Sequence, residues 1–378
     1  MKKLQRMSLL IMISITICTV ALYAASASIM KTSKPVLSQN IEVAAPKKQT
    51  AVQPNVAAAS PITLKKSSAD ITVSAVGDVT IGTDESFAYA GSFPQEVEKN
   101  GYAYFGKHIK TIFTQDDLTI ANLETTLTTA KAKAAKKFRF KGAPEYARIL
   151  TLSGIDTVNL ANNHTHDYLQ RGYEDTRRTL KQYGIGYFGY TTMYVKEIKG
   201  VSVGMLGYEG WENTVKLRRT IATDIEKLRQ KGAHIVIVSF HWGVERSNHP
   251  NAAQRGLGRH AIQAGADLVL GHHPHVIQGI EQYNGKYIVY SLGNFMFGGN
   301  RNPSDKDTFI FQQTFHVREG KLADIREIRL IPASISSVKE RNNYQPLPLS
   351  GAEGKRVLAR LKKYTNHVGA FDWRAVRE

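Results

Sequence analysis

One cysteine in 378 residues, Cys18, rules out any disulfide within the chain and any metal site built from thiolates. It lies inside an apolar stretch, so the portion that follows has no thiol to oxidise or pair. Lipid modification of Cys18 is a competing reading, but the preceding Ile15-Thr16-Ile17 lacks the small residues expected there. Negative charge is scarce as well: 32 acidic residues against 50 basic ones leave a formal charge of +18. Such a field draws polyanions without specificity. Zinc-finger spacing, basic heptads and aromatic ribonucleoprotein motifs are all missing, which argues against specific nucleic-acid recognition. Anionic wall polymers, capsule and phospholipid stay open as neighbours, beside the plainer reading of a soluble basic surface. No internal repeat is present. Ser291 sits in Ser-Leu-Gly-Asn rather than a Gly-x-Ser-x-Gly elbow, which counts against it as a nucleophile.

At 42% apolar and 22% charged residues the chain is long enough for one dominant domain. Met1-Lys2-Lys3-Leu4-Gln5-Arg6 is basic, and residues 7–27 carry no charge. About twenty such residues suit a bilayer span, whereas Ala25-Ser26-Ala27 resembles a signal-peptidase site. The expectation is a signal anchor at 1–27 with Lys2, Lys3 and Arg6 cytoplasmic, which makes a single-pass protein of the cell membrane with everything else outside. Cleavage would instead release a secreted protein. Residues 28–69 are rich in Ala, Ser, Lys, Pro and Gln and read as a flexible linker. A domain is expected at 70–335, followed by an extension at 336–378.

Strands are expected at 71–76, 118–121, 157–160, 201–206, 235–240, 268–270 and 287–290. Helices are expected between them at 144–152, 172–183, 220–231 and 252–264, most closed by glycine. Alternation of this kind gives an α/β core. Strands at 276–280, 309–317 and 323–331, with turns at Asn284-Gly285 and Glu319-Gly320, look like antiparallel hairpins. Residues 351–364 place Val357, Leu358 and Leu361 on one face of an amphipathic helix, with a membrane-surface role as the second reading.

Polar residues cluster just beyond these strands: Asp78, Asn122 with Glu124, Asn163 with His164, His241 with Glu245, and His273 with His275. The carboxyl ends of strands form the usual ligand crevice of α/β proteins. One histidine there is ordinarily structural, but five clusters in register point to a site. Carboxylate, amide oxygen and imidazole without thiolate suit Mn, Fe or Zn as a divalent metal, one or two ions, in an open catalytic site. Glu245 and Glu281 read either as carboxylates that orient imidazoles or as surface ion-pair partners. His272 is expected to face solvent or a neighbouring loop. Lys136, Lys137, Arg139 and Lys141, interleaved with Phe138 and Phe140, read as an acidic-polymer groove or a solvated strand face.

Together Ala75-Val76-Gly77-Asp78, Ala121-Asn122-Leu123-Glu124, Leu160-Ala161-Asn162-Asn163-His164 with Asp167, His241-Trp242-Gly243-Val244-Glu245, His273-Pro274-His275 and Ser291-Leu292-Gly293-Asn294 resemble the bacterial capsule synthesis CapA family, associated with poly-γ-glutamate. That family is similar to the calcineurin-like metallophosphoesterases. The resemblance implies a four-layer α/β/β/α sandwich with a dinuclear site. It gives Asp78 and His275 to the first metal, Glu124 to the bridging position, and Asn163, His241 and His273 to the second metal. His164 takes the catalytic role at the transition state or leaving group, with Asn162 and Asp167 around it. Two departures stand out: Thr80 occupies the place of a first-metal imidazole, and Glu124 is one methylene longer than the usual Asp. The resemblance therefore implies one tight ion and one weak or absent. It also implies an anionic polymer, the membrane and membrane synthase subunits as partners. Three functions stay open: a metal-dependent hydrolase, a non-catalytic scaffold that holds polymer, and a wall-polymer phosphatase.

Overall fold

The computed structural model describes residues 68–325, 327–369 and 371–377, so the segment expected to enter a membrane and nearly all of the linker lie outside the described residues. Among those residues no helix is long and apolar enough to cross a membrane. They form a mixed α/β fold with two large sheets and one small one.

The β-branched run that starts at Ile71 is the middle of a strand from Ala69–Thr80 at the centre of the larger sheet. Leu118–Leu123 pairs parallel to it on one side, followed by Thr157–Asn159 and Gly186–Phe188. Asp307–Arg318 pairs antiparallel on the other side, followed by Glu327–Ser334 and Leu347–Pro348. The second sheet runs in the order Ile280–Tyr283, Lys286–Val289, Leu268–His272, Ile235–Trp242, Val201–Gly210 and Tyr194–Ile198, and its four middle strands are parallel. Thr83–Asp84, Phe140–Gly142 and Thr126–Leu127 make the small sheet.

Alternation along the strands divides the core. Ile71, Val73 and Ala75 of the first sheet meet Ile235, Ile237 and Leu268 of the second in one apolar cluster. The intervening residues face helices instead. Val76 and Val158 pack with Ile149 and Leu180, and Val236 and Val238 pack with Ile225 and Leu257. Strands covered on both faces need unbroken apolar sequence, and this is why 235–240 reads Ile-Val-Ile-Val-Ser-Phe. Helix ends follow local chemistry. Asn251 and Gln254 form a capping box before Ala252–Gln263, and Gly154 closes Ala147–Ser153 in the left-handed region at φ 87°.

Both expected hairpin turns are present, with positive φ at Asn284 and Gly285 and at Glu319 and Gly320. A third, at Lys199-Gly200, joins Tyr194–Ile198 to Val201–Gly210 and was not expected. The strand expected at 276–280 is not regular: it keeps one bridge, Ile277 to Leu292, before a strand starts at Ile280. Side chains hold its backbone in place of a ladder, with Ser291 Oγ donating to the Val276 carbonyl and Asn248 Nδ2 to that of Ile277. The strand expected at 323–331 becomes regular only at Glu327. Lys136 to Arg139 are irregular, so the strand-face reading of that basic stretch holds only from Phe140.

Helix Gly351–Asn366 spends its apolar face on the protein itself. Leu361 joins the cluster between the sheets, and Leu358 packs against it. On the same helix Arg356 and Arg360 grip Asp307 and Asp305 at 2.5–2.7 Å. That arrangement leaves little apolar surface for a membrane.

Candidate metal centre

The ends of the parallel strands from both sheets converge. Asp78, Asn122 and Asn159 sit side by side across three strands. Asn159 Nδ2 donates to Asn122 Oδ1 at 3.0 Å, and Asn122 Nδ2 donates to Asp78 Oδ1 at 2.9 Å. From the second sheet the His273 N–H donates to Asp78 Oδ2 at 3.2 Å, and His275 Nδ1 lies 3.0 Å from the same oxygen. Asp78 is thus fixed from both sides. His273 and His275 have φ of 94° and 58°, a left-handed backbone that non-glycine residues rarely hold and that clusters at functional sites. The bend brings both rings to the same centre.

Glu124, just past its strand, is fully buried, and neither carboxylate oxygen has a hydrogen-bond donor. Around Oε1 stand three imidazole nitrogens: His241 Nε2 at 3.5 Å, His275 Nε2 at 3.7 Å and His164 Nε2 at 3.9 Å. A buried carboxylate without a donor is costly, and a cation is the partner that these nitrogens suit. Ligand atoms of Glu124, His241 and His273 lie within 4.8 Å of one another, as do those of Asp78, Glu124 and His275. Asn163 Oδ1 adds an amide oxygen 2.8 Å from His241 Nε2. The donor set fits a divalent ion beside Glu124: one carboxylate, one amide oxygen and two imidazoles, in a setting where hard and borderline metals are favoured over soft ones. A second group, Asp78, Glu124 and His275, offers a neighbouring position. Thr80, which the family resemblance sets against an imidazole, is buried with its hydroxyl unpartnered.

Protonation follows from this geometry. Burial, and then the charges of Asp78, Glu245 and Asp167, raise the Glu124 carboxyl well above the ordinary range, against the opposing pull of His275. At His275 burial works against a charged ring, but Glu124 and the Asp78 hydrogen bond overcome it and raise the imidazole to about 9. Burial, with His275 beside it, lowers His273 to about 4, and burial keeps His241 well below its usual value. Those two rings offer neutral lone pairs at neutral pH. Metal entry beside Glu124 must displace any proton on that carboxyl, and an ion at the neighbouring position must also displace the proton on His275. Affinity of the neighbouring position is therefore expected to rise with pH up to about 9, with protons released; calorimetry in buffers of different ionisation enthalpy measures that release, and a pH-independent affinity there would contradict it.

His164 is set by a separate chain of contacts. Its Nδ1 is 2.6 Å from Asp167 Oδ2, while Asp167 also takes Lys136 Nζ at 2.7 Å and the Phe140 N–H at 2.6 Å. Phe140 stacks on the ring with centroids 4.2 Å apart. Burial lowers the His164 pKa, and Asp167 opposes that shift. The ring is held with Nε2 toward Glu124, and Lys136 faces inward to support it. Asn162 orders the loop by donating to the Leu123 carbonyl and accepting from the His164 N–H.

A family profile described as "Bacterial capsule synthesis protein PGA_cap" matches residues 72–299, a span that includes every residue of the centre. The chain belongs to this family. Its relatives include "PGA biosynthesis protein CapA" of Bacillus subtilis, 30% identical over 72% of this chain and 76% of that one. "Capsule biosynthesis protein CapA" of Bacillus anthracis is 27% identical over 78% of this chain and 74% of its own length. A "Probable polyglutamine synthesis accessory protein" of Mycobacterium tuberculosis is 24% identical over 60% and 68%.

In this capsule synthesis protein the structure brings together Asp78, Glu124, Asn163, His164, His241, His273 and His275, with Asn162 and Asp167 behind them. One expectation needs correction: His272 does not face solvent but is fully buried, with Nδ1 3.6 Å from Asp78 Oδ1. Of the two readings of Glu281 the ion pair holds, because Arg259 and the Tyr290 hydroxyl take its oxygens, although the carboxylate is buried and not at the surface. Glu245 is exposed, yet its carboxylate reaches within 4.8 Å of ligand nitrogens on His273 and His275. Sequence reasoning missed Asn294, whose Oδ1 meets His275 Nδ1 at 3.0 Å, although it lies in the Leu-Gly-Asn motif. It also missed Trp211, which stands edge-on to His273 with centroids 4.7 Å apart. Trp211 follows a strand that runs to Gly210, four residues beyond the run expected to end at 206.

Proposed function

We propose that this protein is an extracytoplasmic, membrane-anchored hydrolase of capsule synthesis that cuts the γ-glutamyl polymer at a metal-dependent centre. The domain is read as a four-layer α/β/β/α sandwich of the metallophosphoesterase type, in keeping with helices outside two facing sheets. The observation that carries the reading is Glu124, a buried carboxylate with no donor, ringed by three imidazole nitrogens. Bound there by Glu124, Asn163, His241 and His273, a divalent ion supplies electrophilic catalysis, polarising a substrate oxygen and acidifying water.

The chain's own residues do the rest. Asp167 fixes the His164 ring by its hydrogen bond to Nδ1, leaving Nε2 free to take a proton from an attacking water and return it to the departing nitrogen. Phe140 shields that ring from bulk water. A scaffold that holds polymer without cutting it is the second reading, and Thr80 is the residue that favours it, because Asp78-Val79-Thr80 stands where the resembled metallophosphoesterases have Asp-x-His. Incubating the metal-loaded full chain with poly-γ-glutamate, and measuring polymer length, separates the two.

A further inference from the structure

A cavity of about 380 Å³ opens beside the centre, with His164 and His275 at its floor. One wall is aromatic. Phe297 lies against His275 with centroids 4.8 Å apart, and Phe138 meets Phe87 edge-on at 6.0 Å farther out. Phe138 is 41% exposed, with Lys137 Nζ 5.0 Å from its ring centroid.

Across the cavity stand Arg246 and Arg301, both exposed. Neither makes an ion pair with any described residue, whereas Arg356 and Arg360 are bound to Asp305 and Asp307. Asp305, which also lines the cavity, is thereby neutralised by Arg360. Arg246 has φ of 62°, and its N–H is tied to the Pro274 carbonyl at 2.8 Å, in the turn between the two ligand histidines. That backbone conformation is costly for arginine, and it fixes the origin of this side chain to the site itself. Glu245, the remaining acid on the lining, faces the ligand nitrogens of His273 and His275.

We infer that this cavity is the subsite that holds the polymer beside the centre, with Arg246 and Arg301 taking its carboxylates and the phenylalanines packing its methylenes. The inference rests on the reading of the substrate as a γ-glutamyl polymer, and it adds the groups that select it. Guanidinium forks match carboxylates two hydrogen bonds at a time. An apolar wall suits a chain with aliphatic spacers between its charges, whereas the hydroxyls of a polyol phosphate would lose hydrogen bonds against it.

The test uses the full chain in detergent, loaded with Mn²⁺, titrated with a defined γ-glutamyl oligomer and separately with a glycerol-phosphate oligomer. Each of Arg246→Gln and Arg301→Gln is expected to weaken γ-glutamyl binding by about tenfold or more, the worth of a charged hydrogen bond, with metal content and melting temperature unchanged. Arg246→Lys keeps the charge but loses the fork, and should restore only part of the affinity. Unchanged γ-glutamyl affinity in the double glutamine variant overturns the inference. So does equal affinity for glycerol phosphate, which would make the cavity a general anion site. Cutting by the wild type separates the two readings: oligomer that binds through the arginines but is never cut by the wild type supports the subsite while sinking the hydrolase. Cutting that persists undiminished in the double variant does the reverse.

Discussion

His241→Ala is expected to empty the better-equipped metal position. His241 is fully buried, its Nε2 lies 3.5 Å from Glu124 and 2.8 Å from Asn163, and alanine leaves that position with Glu124, Asn163 and His273. The other imidazole nitrogens around Glu124 Oε1, on His275 and His164, stand farther off at 3.7 and 3.9 Å, and Trp211 presents only a ring edge to His241. Bound metal, measured by elemental analysis after gel filtration, should fall from about one ion per chain to background. His275→Ala should cost less, since His275 lies outside the set of Glu124, Asn163, His241 and His273. Full occupancy in the His241 variant would mean that the ion, if any, sits elsewhere. Folding is a separate matter: a cavity the size of an imidazole costs about 2–5 kcal/mol, so a melting curve must accompany the metal measurement.

His164→Asn is expected to lower turnover on the γ-glutamyl polymer by about 10²–10⁴-fold, the usual worth of a positioned acid–base group, while metal content stays at the wild-type level. The asparagine keeps a polar group toward Asp167 but has no nitrogen that exchanges protons. Asp167→Asn tests the same chain of contacts from behind. It removes the negative charge and one of the two acceptor oxygens that Lys136, the Phe140 N–H and His164 use, so rate should fall, and the acid limb of the pH–rate profile should shift with it. A purely structural role for Asp167 would lower stability and leave that limb in place. Loss of metal in the His164 variant would instead make this ring a ligand.

Much of this centre was legible in the sequence because the strands are covered on both faces. Runs such as Asp267-Leu268-Val269-Leu270 and 235–240 read as buried strands, and the polar residues directly after them fall where an α/β crevice forms. What the sequence hid came from strand ends and backbone sign. The strand at Leu268–His272 continues two residues past Leu270, so His272 shares the face of Leu268 and Leu270 between the sheets, where Asp78 lies. His273 and His275 escape that alternation only through positive φ, which no residue type there announces. Lys136 looked like one of several surface cations, yet Asp167, thirty-one positions later, draws it inward. For Glu281 residue type left two readings open, and its strand decides between them by carrying it to Arg259 and Tyr290.

The most direct trial of metal-dependent hydrolysis is the length of poly-γ-glutamate after incubation with the full chain. Polymer treated with the Mn²⁺-loaded protein should shorten, with one new amine for each cut, and chelation or Glu124→Gln should stop it. Polymer that binds the metal-loaded protein but keeps its length under these conditions would contradict the hydrolase and leave a scaffold.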